Sequence, residues 1–179
     1  MGSLDHIWAG WRSVFLMNGT GAGVDGTEPD PCVFCRILAS GLTDEEAHIV
    51  WRHPFGRVVA ILNAYPYTSG HLMVLPSRHV GHVEDLGPEE GAELWEAVTA
   101  AVRAVKAAYG PDGVNLGANL GRAAGAGVPE HLHMHVVPRW AGDTNFMTAV
   151  ADARVLPEAL SDSAGKLRAC WPSPAAPQK

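Results

Sequence analysis

Glu130-His131-Leu132-His133-Met134-His135-Val136-Val137-Pro138-Arg139 places an imidazole at every second position, with apolar, partly β-branched side chains between and after. The segment reads as a strand, and the period of two puts His131, His133 and His135 on one face. Three histidines in a row on a strand face suit metal binding, phosphate binding, or proton and nucleophile chemistry. The bland alternative is a solvated, histidine-rich face. Imidazole is a competent nucleophile at neutral pH, one ring nitrogen attacking phosphorus while the other keeps its proton against an acceptor. A second histidine about 6.5 Å further along the strand can meet the phosphate oxygens. Gly121-Arg122-Ala123-Ala124-Gly125-Ala126-Gly127 precedes the strand, and small residues there let backbone N–H groups approach an anion. Together these features favour a phosphate site over a three-histidine zinc site.

Working outward, residues 47–52, 57–62, 71–76 and 113–120 read as four further strands, bounded by turn residues. Residues 88–109 form the clearest helix. Pro88 suits the first helical position, Glu89 and Glu90 favour the positive end, and Gly110-Pro111 stops it. Leu94, Val98, Val102 and Val105 share a stripe and should face the sheet. Residues 35–40 suggest a short helix closed by Gly41, and residues 156–169 another in the tail, before a Pro-rich end. Only one connection is long enough to carry a crossover helix. The expectation is therefore an α+β fold with one mainly antiparallel sheet of about five strands. Residues 1–30 hold Trp8, Trp11 and Arg12, then Gly19-Thr-Gly-Ala-Gly-Val-Asp-Gly26 with no periodicity, and read as a flexible segment. That stretch lacks the Gly-Lys-Ser/Thr ending of a phosphate loop.

A chain of 179 residues suits one domain with a real core. Its formal charge of −6 argues against a general nucleic-acid surface, although a local cluster of Arg122, Arg139 and the histidines can hold a small phosphorylated ligand. No apolar run reaches the length of a membrane span, and residues 1–18 lack a signal-peptide pattern, so the expected location is the cytoplasm. Three cysteines do not make a disulfide framework.

Cys32-Val-Phe-Cys35 is ambiguous on spacing alone between half a zinc site and a redox pair. A redox pair is expected to open a helix after a strand, whereas this one follows a loop rich in Gly and Asp. Zinc needs two more ligands, with His79, His82 and the histidine strand as candidates. Asn63 and Asn119 suit turn positions as well as they suit a ligand site. His71, taken alone, reads as a satisfied strand histidine.

Together these residues resemble the histidine triad family. His131-Leu-His133-Met-His135-Val-Val-Pro-Arg139 fits that family's signature, Gly70-His71-Leu-Met-Val-Leu-Pro76 is similar to its other recurrent strand, and Asn63 sits at its ribose-binding position. The resemblance covers about residues 32–140. The phrase from Leu62 to His71 and the sequence from Arg139 to Phe146 resemble one branch, the bacterial diadenosine tetraphosphate phosphorylases and hydrolases, and Trp11-Arg12 echoes that branch's N-terminal segment. The resemblance implies residues 31–142 as a HIT domain, 143–179 as a C-terminal extension, and a homodimer whose two sheets join. It implies His133 as the nucleophile that becomes nucleotidylated at the α-phosphate of a dinucleoside polyphosphate. His135, Asn119, Gly125, Ala126 and Gly127 are then the phosphate contacts and Asn63 the ribose contact. In zinc-containing members the ligands match Cys32, Cys35, His79 and His131, which gives a structural Zn2+. Two departures stand out: no Gln precedes the triad, and Gly127 replaces a hydroxyl residue usual in the branch. Other readings are a purine nucleoside phosphoramidase, an adenylyl sulfate-cleaving hydrolase, and a nucleotide-binding regulatory protein with vestigial catalysis.

Overall fold

Short runs rich in Val, Ile and Leu become the strands β1 (Ile49–Arg52), β2 (Val58–Leu62), β3 (Leu72–Pro76), β4 (Gly113–Gly117) and β5 (Met134–Arg139). They form one sheet in the order β1-β2-β3-β5-β4, every neighbouring pair antiparallel. Because β5 lies between β3 and β4, those two strands run parallel and need a long connection. Helix α2 (Pro88–Tyr109) supplies it. Helices α1 (Val33–Ala39) and α3 (Leu160–Cys170) complete the fold. The structure, a computed structural model, describes residues 32–143 and 158–172. The glycine-rich stretch, Trp8, Trp11, Arg12, the first residues of the expected tail helix and the chain end after 172 lie outside them. Among the described residues, no helix is long and apolar enough to cross a membrane.

The sheet is covered on both faces, which is why β2 and β3 are buried at every position rather than at alternate ones. On one face Val58, Ala60, Leu62, Leu72 and Val74 pack against Leu94, Ala97, Val98, Ala101 and Val105 of α2 and Leu167 of α3. On the other, Ile49, Val59, Ile61, Met73 and Leu75 pack beneath Phe34 of α1. The expected stripe on α2 needs one correction. Val102 is only half-buried, while Ala101 is fully buried. A 3.6-residue period runs through 94, 97–98, 101 and 104–105, and Val102 stands one step off it.

Helix α3 begins at Leu160 rather than near 156, and lies against α2 and β1. The strand expected over 113–120 ends at Gly117. The histidine strand enters the ladder only at Met134, not at His131. The backbone of its lead-in is spoken for elsewhere: the Leu132 N–H donates to the Val80 carbonyl at 2.6 Å, outside the sheet.

Candidate active site and metal centre

Although the ladder starts late, the alternation persists through the lead-in. Leu132 is buried in the α2-side core, whereas His131 and His133 turn to the opposite face and meet Phe34, with ring centroids 5.3 and 5.2 Å away. The His133 and His135 rings stand 4.9 Å apart. All three imidazoles therefore line one face, as their spacing predicts. What the spacing could not give is how each ring is held, and each is held differently.

His131 is fully buried, and its Nε2–H donates to the Pro76 carbonyl at 2.8 Å. A carbonyl can only accept, so the Nδ1 lone pair is left pointing at Cys32 Sγ, 3.3 Å away, and Cys35 Sγ, 3.6 Å away. His133 has the reverse arrangement. Its Nδ1–H donates to the His131 carbonyl at 2.8 Å, leaving the Nε2 lone pair available. For His135 the tautomer is set two steps away. The Tyr67 backbone N–H donates to His71 Nδ1 at 3.0 Å, so the His71 proton sits on Nε2 and is donated to His135 Nδ1 at 2.9 Å. The remaining nitrogen of His135, Nε2, thus carries its proton. One ring offers a lone pair and its neighbour a donor, which is the pairing that nucleophilic attack beside an anion requires.

Electrostatics keep these rings neutral. Burial lowers the pKa of His131 and of His133. Burial, and then the nearby His133, push His135 down to about 4. Burial disfavours the imidazolium because a charge loses its hydration there.

Cys32, Cys35, His79 and His131 converge, their ligand atoms all within 4.8 Å of one another, and His79 Nδ1 lies 3.3 Å from Cys35 Sγ. A tetrahedral zinc site needs ligand atoms about 3.4–3.8 Å apart, so small movements close this set around an ion. Cys32 caps α1 and Cys35 lies in its first turn, so the two-residue gap brings both sulfurs to the same helix end. The helix starts at Val33 rather than at the expected Cys35, so the pair opens it, and two histidines meet the pair. Burial, then Cys32, raise the Cys35 thiol to about 11, and a bound dication would reverse that cost. The residues fit a metal. His82, the alternative ligand, precedes a turn of 3-10 helix at Val83–Asp85 and is not among the converging residues.

The other expected contacts fall around this core. Asn63 Oδ1 accepts the Tyr65 N–H at 2.9 Å, so it does cap its turn, while its amide nitrogen lies 3.4 Å from His71 Nδ1. Gly125, Ala126 and Gly127 form the turn before the triad; Asn119 donates to the Gly125 carbonyl at 3.4 Å. Gly117 faces His135 at the end of the β4–β5 pair, and Asn119 follows two residues beyond it. Arg139 points elsewhere: its guanidinium is bonded to Asp143 and Asn115. Sequence reasoning missed His71, Tyr67 and Phe34. The available signal was Gly70-His71 at the start of a strand, but its partner across the sheet could not be read from it.

A HIT domain family model matches residues 45–142. An AP-4-A phosphorylase from Mycobacterium tuberculosis is 47% identical over 170 residues, spanning 94% of this chain and 85% of that protein. A zinc-bound histidine triad family protein from Mycobacterium smegmatis has a crystal structure that superposes with a TM-score of 0.63 at 31% identity, covering 79% of this chain and 93% of the other. A Hit-like protein from Bartonella henselae, 24% identical with a TM-score of 0.62, covers 80% of this chain and 99% of its own, and shares the fold.

Proposed function

This chain belongs to the histidine triad family, and from that premise we propose that it is a phosphorylase that splits dinucleoside polyphosphates such as diadenosine tetraphosphate. The observation that carries the reading is the opposed protonation of neighbours: His133 with a free Nε2 lone pair, His135 with an Nε2–H beside it. The 47% identical AP-4-A phosphorylase supports the choice of substrate.

Attack by His133 Nε2 on the α-phosphorus forms a P–N bond and breaks the P–O bond to the leaving nucleoside polyphosphate. The His133 Nδ1 proton stays with the His131 carbonyl, which steadies the ring as positive charge develops. The Nε2–H of His135, the amide of Asn119 and the backbone of Gly125, Ala126 and Gly127 meet the phosphate oxygens. Asn63 holds the ribose. Inorganic phosphate then attacks the same phosphorus, the P–N bond breaks, and a nucleoside diphosphate leaves. Two displacements at one phosphorus avoid bringing both anions together in one step, which is the advantage of a covalent intermediate.

Cys32, Cys35, His79 and His131 hold Zn2+, which when bound supplies a closed structural tie between α1 and the lead-in to β5. The zinc-bound relative supports the choice of metal. Two thiolates and two neutral imidazoles balance its charge. The working unit is a homodimer joined along β4, whose outer edge carries the half-exposed Leu116, while β1 at the other edge is held by α3. Residues 31–142 form the catalytic domain, 143–179 an extension. The cytoplasm, where thiols stay reduced, suits such a centre.

The test is product analysis. Diadenosine tetraphosphate incubated with the protein and inorganic phosphate should yield ADP plus ATP, and nothing without phosphate. AMP plus ATP in the absence of phosphate would make it a hydrolase; no cleavage in either case would end the proposal.

A further inference from the structure

Gly70 precedes His71 in a left-handed conformation, φ +79°, and a Cβ placed there would lie 2.5 Å from Tyr109 Cε2. The Tyr109 ring therefore rests on the backbone immediately before the histidine that sets the tautomer of His135. Tyr109 is the last residue of α2, and its ring also meets Trp140 just after β5, centroids 6.4 Å apart.

What holds that ring comes from beyond residue 142. The Tyr109 hydroxyl donates to Glu158 Oε1 at 2.5 Å. The same carboxylate accepts the Ser163 hydroxyl at 2.6 Å and pairs with the Lys166 ammonium, which itself lies 5.6 Å from the Tyr109 ring centroid. Glu158 is nearly enclosed, its side chain 12% exposed. Helix α3 is fastened at its far end too. Arg168 donates to the carbonyls of Ile49 and Asp44, and Trp171 stacks on Trp51 at 5.2 Å. The cluster adds little to stability through its ion pair, because the Lys166 side chain is 53% exposed to solvent. Its strength is in fixing direction, since a hydroxyl bonded to a carboxylate has one good position.

On the other side of Gly70, the 67–71 turn is clamped. The His71 N–H donates to the Thr68 carbonyl at 3.2 Å, Thr68 Oγ1 donates to the Pro138 carbonyl at 2.8 Å, and the Tyr67 N–H holds His71 Nδ1. The turn is fixed from above by β5 and from below by Tyr109.

We propose that the C-terminal extension, through Glu158 and Tyr109, positions His71 and thereby holds His135 with its Nε2–H directed at the substrate phosphate. The mention of substrate rests on the phosphorylase reading; the positioning does not. Glu158 and Tyr109 are positioning residues, because they act through His71. A displacement of about 1 Å would break the His71–His135 hydrogen bond and let His135 exchange tautomers, since such bonds weaken steeply with distance. The groups that face His135 are His71, His133 and the Tyr67 ring, which stacks 6.1 Å from it.

The experiment uses the full chain labelled with 15N, whose two-bond imidazole spectra report the tautomer of each histidine. The intact protein should show His135 as the Nε2–H form. Tyr109→Leu, which withdraws the ring from Gly70, should give a mixture of His135 tautomers and lower kcat about tenfold with KM within about twofold, the usual size of an indirect positioning effect. Glu158→Gln keeps the shape and removes the charge; it should move the spectrum in the same direction by less, and it serves if Tyr109→Leu does not fold. A folded variant of either kind with His135 unchanged and full kcat overturns the proposal. Absence of phosphorolysis by the intact protein would instead sink the phosphorylase reading, and the spectra would still decide the positioning.

Discussion

His131 and His133 stand two residues apart on one face, both buried, yet they are prepared for opposite tasks. His131 gives its Nε2–H to Pro76 and keeps the Nδ1 lone pair for the sulfurs; His133 gives its Nδ1–H to the His131 carbonyl and keeps the Nε2 lone pair for the site. The side chains are chemically identical. The difference lies in which carbonyl each ring can reach. Two main-chain oxygens decide which imidazole turns a lone pair to the cysteines and which turns one to the proposed catalytic site, and the first ring's own carbonyl fixes the second. The metal centre and the proposed catalytic centre thus share a residue, and the comparison can be broken from either side.

The largest effect should come from the proposed nucleophile, His133. His133→Asn should lower kcat by about a thousandfold or more, because removing a covalent group leaves only the binding and electrostatic parts of catalysis. Nucleotide affinity, measured by calorimetry, should persist, and zinc content should not change. Turnover at the wild-type rate would remove covalent catalysis at this residue. The converse change is Cys32→Ser. It should abolish the zinc, which metal analysis of the parent should give at close to one per chain, and lower the melting temperature by about 10 °C, since a closed metal site contributes folding energy. Fully stable, zinc-free parent protein would dismiss the metal.

The pattern of the site was legible in the sequence, but its wiring was not. Strict alternation placed three imidazoles together because a strand's period depends on the backbone alone. The same logic yields the sheet and α2, whose Pro88 start and Gly110 stop match the structure. Tautomers depend on partners from other elements: Pro76 ends β3, and Tyr67 belongs to the turn before it. Neither is near the triad in sequence, and pairing between β3 and β5 is a property of topology. For this reason His71, taken alone in the sequence, reads only as a satisfied strand histidine. Its fully buried ring links the Tyr67 N–H to His135. The choice between His79 and His82 likewise turns on which lies beside α1, a tertiary fact that the spacing of Cys32 and Cys35 does not contain.

His71→Leu sharpens the comparison by touching one centre only. It removes the donor to His135 and the acceptor of the Tyr67 N–H, a residue 45% exposed, so the loss in stability should be about 1 kcal/mol. We expect kcat to fall about tenfold to a hundredfold, as for other supporting hydrogen bonds, with zinc content unchanged. Loss of zinc in this variant would mean that the two centres are not independently held.

The smallest effect is in the pH dependence. His135 is held at about 4 by burial first and His133 second, below the ordinary value of about 6.5 for an unfolded histidine. Between those values the unfolded chain binds more protons, so this group's contribution to stability is fully present above about pH 6.5 and is lost as pH falls towards 4. Protonation would also place a second N–H against the His71 donor, 2.9 Å away, and break the relay. The acid limb of kcat/KM should therefore lie well below pH 6.5. In His71→Leu it should move upward, because the neutral form loses a hydrogen bond that favours it. A profile of the parent falling at 6.5, as for a solvated imidazole, would show that His135 is not held in this way, and His131 and His133 would then be the only histidines of the row whose protons the fold dictates.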